Sequence, residues 1–134
     1  MITAVDTNIL VDILAPEKEF TEASIKALGE ARDHGRVIVA PEVLAELSFC
    51  FNSPSNMEES IDEMDIAMVP HTFSSIHLAG VTWMHYRRRS ANPKNRLLPD
   101  FLIGAHALIF ADALITRDRG YFHTYFPKLK IIHP

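Results

Sequence analysis

Cys50 is the only cysteine in the sequence. That excludes an intrachain disulfide framework and any cysteine-rich zinc site. Cys50 lies in the run Leu47, Ser48, Phe49, Cys50, Phe51, which predicts a buried, inert thiol. No apolar run approaches the ~20 residues that a membrane span needs. No secretory leader is expected, because residues 1–5 are too few for an apolar core and acids follow at once. The seven histidines form neither HxxxH nor HExxH. Neither GxxxxGKS/T nor GxGxxG occurs, so nucleotide binding through a glycine-rich loop has no support. These absences predict a soluble, cytoplasmic protein with no membrane partner.

What is present is core material. The chain has 134 residues, 48% of them hydrophobic, which predicts one domain over residues 1–134. A domain of this size buries roughly two-thirds of the surface its unfolded chain exposes. The net charge of −4 conceals an asymmetry. Residues 87–96, "RRRSANPKNR", carry Arg87, Arg88, Arg89, Lys94 and Arg96 without an acid, and the other eight basic residues face 17 acidic ones. A basic segment on an acidic body suits a polyanionic partner, although it also serves solubility.

Short apolar runs alternate with helical patterns. "ITAV" (2–5), "RVIVA" (36–40), "AMVPH" (67–71), "ALIT" (113–116) and "LKII" (129–132) read as strands. Helical spacing covers Ile9, Leu10, Ile13 and Leu14 up to Pro16, then 21–35 with Thr21 as N-cap. Further helices are predicted from Pro41 through Phe51, over 56–67 with a cap near Ser55 or Asn56, over 74–89, and from Pro99. "DRGYFHTYF" reads as a short helix or turn. The alternation predicts an α/β domain, helices on both faces of a mostly parallel sheet of four to five strands.

Ligand sites in such sheets form beyond the carboxyl ends of the strands. Asp6 directly follows the first strand and Asp118 lies two residues after the fourth; Glu46 lies on the helix after the second. Asp100 opens a helix running antiparallel to its following strand, so it belongs to the same edge. Four acids therefore converge by topology. Asp112 precedes its strand and belongs to the opposite edge, and Asp12, well down its helix, is expected to be solvated. Glu42 rivals Glu46 but suits the helix dipole where it stands. Each acid also has a structural role open to it: a cap for Asp6, a dipole partner for Asp100, a surface position for Glu46, a turn for Asp118. Gathered carboxylates resist burial unless a cation neutralises them. An oxygen-only set suits Mg²⁺ or Mn²⁺.

The segments "VDTNILVD", "PEVLAEL", "LLPDFLIGAHAL" and "LITRDRGYF" resemble, in order and over nearly the whole chain, the acidic motifs of PIN-domain nucleases, in particular VapC-like toxins of toxin–antitoxin pairs. The resemblance implies a three-layer α/β/α PIN fold and a Mg²⁺- or Mn²⁺-dependent ribonuclease. It further implies a homodimer, held inactive by a cognate antitoxin protein. It makes Asp6, Glu46, Asp100 and Asp118 the catalytic acids, with Asp6 and Asp100 as direct metal ligands and Glu46 and Asp118 acting through water. Thr7, Asn8 and Thr116 become the groups that orient them. One departure is Gly120, where many relatives carry another acid.

On this reading Arg87, Arg88, Arg89, Lys94 and Arg96 would contact RNA phosphates and offset the acids' repulsion. Tyr121, Phe122, Tyr125 and Phe126 could stack on bases, but core packing is the expectation for most of them. His106 is read as packing or surface. Gly104 and Ala107 share a helix face with Asp100 and are expected to let that helix approach the sheet. The competing reading is a non-catalytic PIN-like module that binds RNA or another protein. A haloacid-dehalogenase phosphatase would need an acid where Asn8 stands, and a receiver domain would need an aspartate after the third strand.

Overall fold

The computed structural model describes residues 1–16, 19–90 and 96–134. Five strands, β1 (Ile2–Val5), β2 (Arg36–Val39), β3 (Ile66–Met68), β4 (Ala113–Ile115) and β5 (Lys130–Ile132), form one sheet in the order β3-β2-β1-β4-β5. Every pairing is parallel. Strands covered on both faces need continuous apolar sequence, and "ITAV", "VIV" and "ALI" supply it. Val5, Val39, Leu114 and Ile115 are fully buried.

Seven helices connect the strands among the described residues: α1 (Thr7–Leu14), α2 (Thr21–Asp33), α3 (Pro41–Leu47), α4 (Pro54–Glu63), α5 (Phe73–Arg89), α6 (Leu98–Phe110) and α7 (Tyr121–Tyr125). The chain moves one way from β1 to β3 and the other way from β3 through β4 to β5. Right-handed crossovers then lay the two sets of helices on opposite faces. The reversal leaves a crevice at the carboxyl ends of β1 and β4, whose outgoing loops diverge. Asp6 leaves one strand there, Thr116 to Asp118 the other. At the opposite edge, the Asp112 Oδ2 accepts from the Ile2 N–H at 2.6 Å, as its position before β4 requires.

Several local expectations are corrected. The helix expected over 56–67 starts at Pro54, which fills the first turn where its missing N–H costs nothing, and Ser53 caps it by accepting from the Asn56 N–H at 3.0 Å. Thr21 is not a cap: Phe20 holds that position, and the Thr21 hydroxyl donates to the Asp12 carbonyl at 2.8 Å. Helix α3 ends at Leu47 and tightens into a 3₁₀ turn, Ser48–Cys50. That turn rotates Phe49 outward to 73% exposure and leaves Cys50 only half-buried, against the expected inert core thiol.

Helix α6 is buried nearly all round through Phe101, Ile103, Gly104, Ala105, His106 and Ala107. Gly104 was expected to let this helix approach the sheet; what a Cβ there would overlap is instead the ring of Phe126, itself 2% exposed. His106 packs, its Nε2 donating to the Val69 carbonyl at 2.7 Å. Glu42 is drawn away from the other acids, since its Oε1 lies 2.6 Å from His71 Nε2. Tyr121, Phe122 and Phe126 are core residues, and Tyr121 meets Phe101 edge-to-face.

Candidate metal centre

The centre starts from Asp6. Its N–H continues the ladder by donating to the Ile115 carbonyl at 3.0 Å, and its side chain then caps α1. Oδ1 accepts from the Thr7 N–H at 2.7 Å; Oδ2 accepts from the Thr116 hydroxyl at 2.7 Å and the Asn8 amide at 3.3 Å. Only 7% of the residue is exposed. Burial pushes the carboxyl up to about 6, against the hydrogen bonds from Thr116 and Thr7, and the nearby charges of Glu46 and Asp100 push the same way.

The fully buried Thr116 is the hub. While its hydroxyl donates to Asp6, the same oxygen accepts from the Asp118 N–H at 3.0 Å and lies 3.4 Å from Asn8 Nδ2. The Glu46 side chain stands in solvent on α3 and accepts from the Thr7 hydroxyl at 2.7 Å. Residue 7 thus ties Asp6 through its N–H and Glu46 through its hydroxyl.

In the first turn of α6, Asp100 accepts from the Leu97 N–H at 3.3 Å. Its carboxyl is raised, by burial first and by the charge of Asp118, while the Leu97 hydrogen bond and Arg96 oppose the shift. Asp118 is forked by Arg96, at 2.8 Å from Nη1 and 3.4 Å from Nη2. The Arg96 guanidinium also lies 4.3 Å above the Tyr121 ring.

A family model described as PIN domain matches residues 3–127. The chain belongs to the PIN-domain family. The fold of this PIN domain is shared with a chain in the crystal structure of VapBC2 from Rickettsia felis bound to a promoter DNA fragment, at 18% identity, TM-score 0.69 and coverage of 99% of this chain and 98% of that one. A chain of VapBC-1 from nontypeable Haemophilus influenzae is similar at 19% identity and TM-score 0.67, with the same coverages of 99% and 98%. A chain of a toxin–antitoxin complex from Klebsiella pneumoniae is similar at 16% identity and TM-score 0.59, covering 97% and 95%. No curated protein matches this PIN domain.

The donor set of the PIN domain fits a hard divalent cation. Asp6 is a buried carboxylate in the field of two other carboxylates, and positive charge beside it would relieve the raised pKa. Among the described residues no three His, Cys, Asp or Glu side chains form a preassembled metal cage. A cation beside Asp6 would therefore need water to complete an oxygen shell, as Mg²⁺ commonly does. Asp118 already has a cationic partner in Arg96. Gly120, two residues after Asp118, takes φ 96°, a conformation that L side chains rarely adopt.

Arg87, Arg88 and Arg89 are exposed at the C-terminal end of α5, where Arg87 lies 4.8 Å from the Trp83 ring centre. Lys94 lies outside the described residues.

Sequence reasoning missed the support behind this centre. Asp12, expected to be solvated, is 4% exposed and accepts from the Ser24 hydroxyl at 2.7 Å and from Arg117. Four residues earlier on α1, the Asn8 Oδ1 accepts from the Arg117 N–H at 3.1 Å. Helix α1 thus grips residue 117 twice, by main chain and by side chain, between Thr116 and Asp118. The readable signal was the i, i+4 spacing of Asn8 and Asp12, which puts both on one helix face.

Proposed function

We propose that this PIN domain is a Mg²⁺- or Mn²⁺-dependent ribonuclease and the toxin of a toxin–antitoxin pair. The observation carrying the reading is Asp6: a buried carboxylate, raised to about 6, at the crevice where strand order reverses. Asp6 and Asp100 would hold the cation. When bound, it supplies positive charge to a non-bridging phosphate oxygen and lowers the pKa of a water.

The chain's own groups do the rest. Thr116 and Asn8 fix Asp6 Oδ2, so that carboxylate is oriented before substrate arrives. Thr7 engages Glu46 Oε1, leaving Oε2 to take a proton from the attacking water. Arg96 neutralises Asp118 and, with Arg87, Arg88, Arg89 and Lys94, draws in the RNA backbone. These contacts position RNA without reading its sequence.

The similar VapBC and toxin–antitoxin structures support an antitoxin protein as partner, and the family resemblance supports a cytoplasmic homodimer of this single domain. The test incubates purified protein with structured RNA in Mg²⁺, in Mn²⁺ and in EDTA, beside Asp100→Asn. Cleavage that needs the metal and is lost in the variant is expected. Cleavage persisting in the variant would overturn the assignment, and RNA binding without cleavage would favour the non-catalytic module.

A further inference from the structure

Tyr121 opens α7, three residues after Asp118, and its ring is held from several sides. Phe101 meets it edge-to-face with 5.4 Å between ring centres, and Tyr125 lies at the same distance. The Arg96 guanidinium covers its face at 4.3 Å. Phe101 follows Asp100 in the first turn of α6, and Arg96 is the residue that forks Asp118. The ring thus packs against both the helix that carries Asp100 and the arginine that holds Asp118.

Packing accounts for all of this residue except its oxygen. Tyr121 is 5% exposed and its hydroxyl is buried, yet that hydroxyl has no hydrogen-bond partner among the described residues. A buried donor with nothing to bond costs the full desolvation of the group, and phenylalanine would fill the same space without it. Burial pushes the phenol far above its ordinary value; Asp100 adds to the rise, Arg96 opposes it, and Asp118 and Tyr125 add less. The hydroxyl therefore keeps its proton at neutral pH and can act as a donor, and Asp100 is the foremost charge it faces.

Asp100 is short of donors. The hydrogen bond it accepts from the Leu97 N–H is long at 3.3 Å. Burial first, and then the charge of Asp118, disfavour its ionised form. Arg96 has both Nη atoms engaged with Asp118. A carboxylate that binds a divalent cation must be ionised and held in one direction by its own hydrogen bonds. We infer that the Tyr121 hydroxyl is the donor that positions Asp100: as the carboxylate turns from Leu97 toward a cation shared with Asp6, one of its oxygens accepts from this O–H. Tyr121 acts only through Asp100 and is a positioning residue. This inference rests on the metal-dependent ribonuclease reading of the centre and adds the group that holds Asp100.

The test compares the unmodified full chain with Tyr121→Phe, which keeps the ring against Phe101 and under Arg96. Tyr125→Phe serves as a control from the same aromatic cluster. Without metal, urea unfolding of Tyr121→Phe is expected at an unchanged or higher midpoint, because an unpartnered donor has been removed. Calorimetry should show Mn²⁺ bound about tenfold more weakly by Tyr121→Phe and equally well by Tyr125→Phe. RNA cleavage by Tyr121→Phe should fall at limiting Mn²⁺ and recover in excess Mn²⁺, with KM for RNA within about twofold. A hydroxyl that only supports the fold would give the reverse, a lowered midpoint with unchanged Mn²⁺ affinity, and that result would overturn the inference. Unchanged midpoint and unchanged Mn²⁺ affinity, in a chain that cleaves RNA, would overturn it too and leave the ribonuclease standing. Weakened Mn²⁺ binding in Tyr121→Phe, with no RNA cleavage by the unmodified chain, would sink the ribonuclease reading and keep the positioning role. An unmodified chain that binds no Mn²⁺ would overturn both.

Discussion

Arg117 forks Asp12, with Nε donating to Oδ2 at 2.8 Å and Nη2 to Oδ1 at 2.9 Å. The pair joins α1 to the loop after β4, and the guanidinium also lies 4.0 Å over the Phe20 ring. Arg117→Ala strands a carboxylate that is 4% exposed beside the Ser24 hydroxyl, at an expected cost of about 3 kcal/mol. Asp12→Ala should cost less, because the partly exposed guanidinium can hydrate. Urea unfolding gives both numbers. Both variants should also loosen Asn8 and weaken Mn²⁺ binding about tenfold in folded protein, read by calorimetry. Lost stability with unchanged Mn²⁺ affinity would reduce the pair to a structural role.

Asp6 sets a pH dependence. Its folded carboxyl sits at about 6 against an ordinary 3.8, so folding favours its protonated form. The folded state holds the extra proton between those values, and the Asp6 contribution to stability therefore falls as pH rises through that window. Above the window the loss is complete, on the order of 3 kcal/mol. Tm of the metal-free protein, followed against pH, should carry this decline, and Asp6→Asn should remove it. Mn²⁺ should raise Tm more above the window than below it. A decline unchanged in Asp6→Asn would assign it to another group.

Arg96 answers to two partners, Asp118 and the face of Tyr121. Its ion pair is partly exposed, so Arg96→Ala should cost about 1 kcal/mol of stability or less. Its effect on RNA should be larger, with KM raised about fivefold. Arg96→Lys keeps the charge but not the fork or the flat stacking surface, and should recover only part of the loss. Steady-state kinetics on one RNA separates the three forms, and full recovery by lysine would show that charge alone matters.

Gly104 is set by a ring, not by the sheet. Helix propensity favours alanine over glycine by up to about 1 kcal/mol. Here the added methyl would overlap Phe126, and overpacking a buried site costs about 1–3 kcal/mol. Gly104→Ala is therefore expected to destabilise, and Phe126→Leu in the same chain to recover part of the loss. Additive losses in that double-mutant cycle would refute the contact as the cause.

The strands and the parallel sheet were legible because both-face burial writes continuous apolar runs into the sequence. The gathering of Asp6, Asp100 and Asp118 at one edge followed from connectivity alone. What stayed hidden depended on distant partners. Asp12 reads as a surface acid until Arg117, 105 residues away in sequence, closes on it. Gly104 looked like a residue for the sheet because nothing local announces Phe126. The start of α4 was missed because Pro54 reads as a break, although its fixed φ suits a first turn.

The central place of β1 has a consequence for synthesis. This strand leaves the ribosome before the other four, yet it is hydrogen-bonded on one side to β2 and on the other to β4. Asp6 and the Thr116 hydroxyl that orients it are separated by 110 residues. Contacts of such long range close late in folding. A nascent chain that has not yet extruded β4 therefore carries Asp6 without its orienting partner, and the centre cannot be assembled until that strand has left the ribosome.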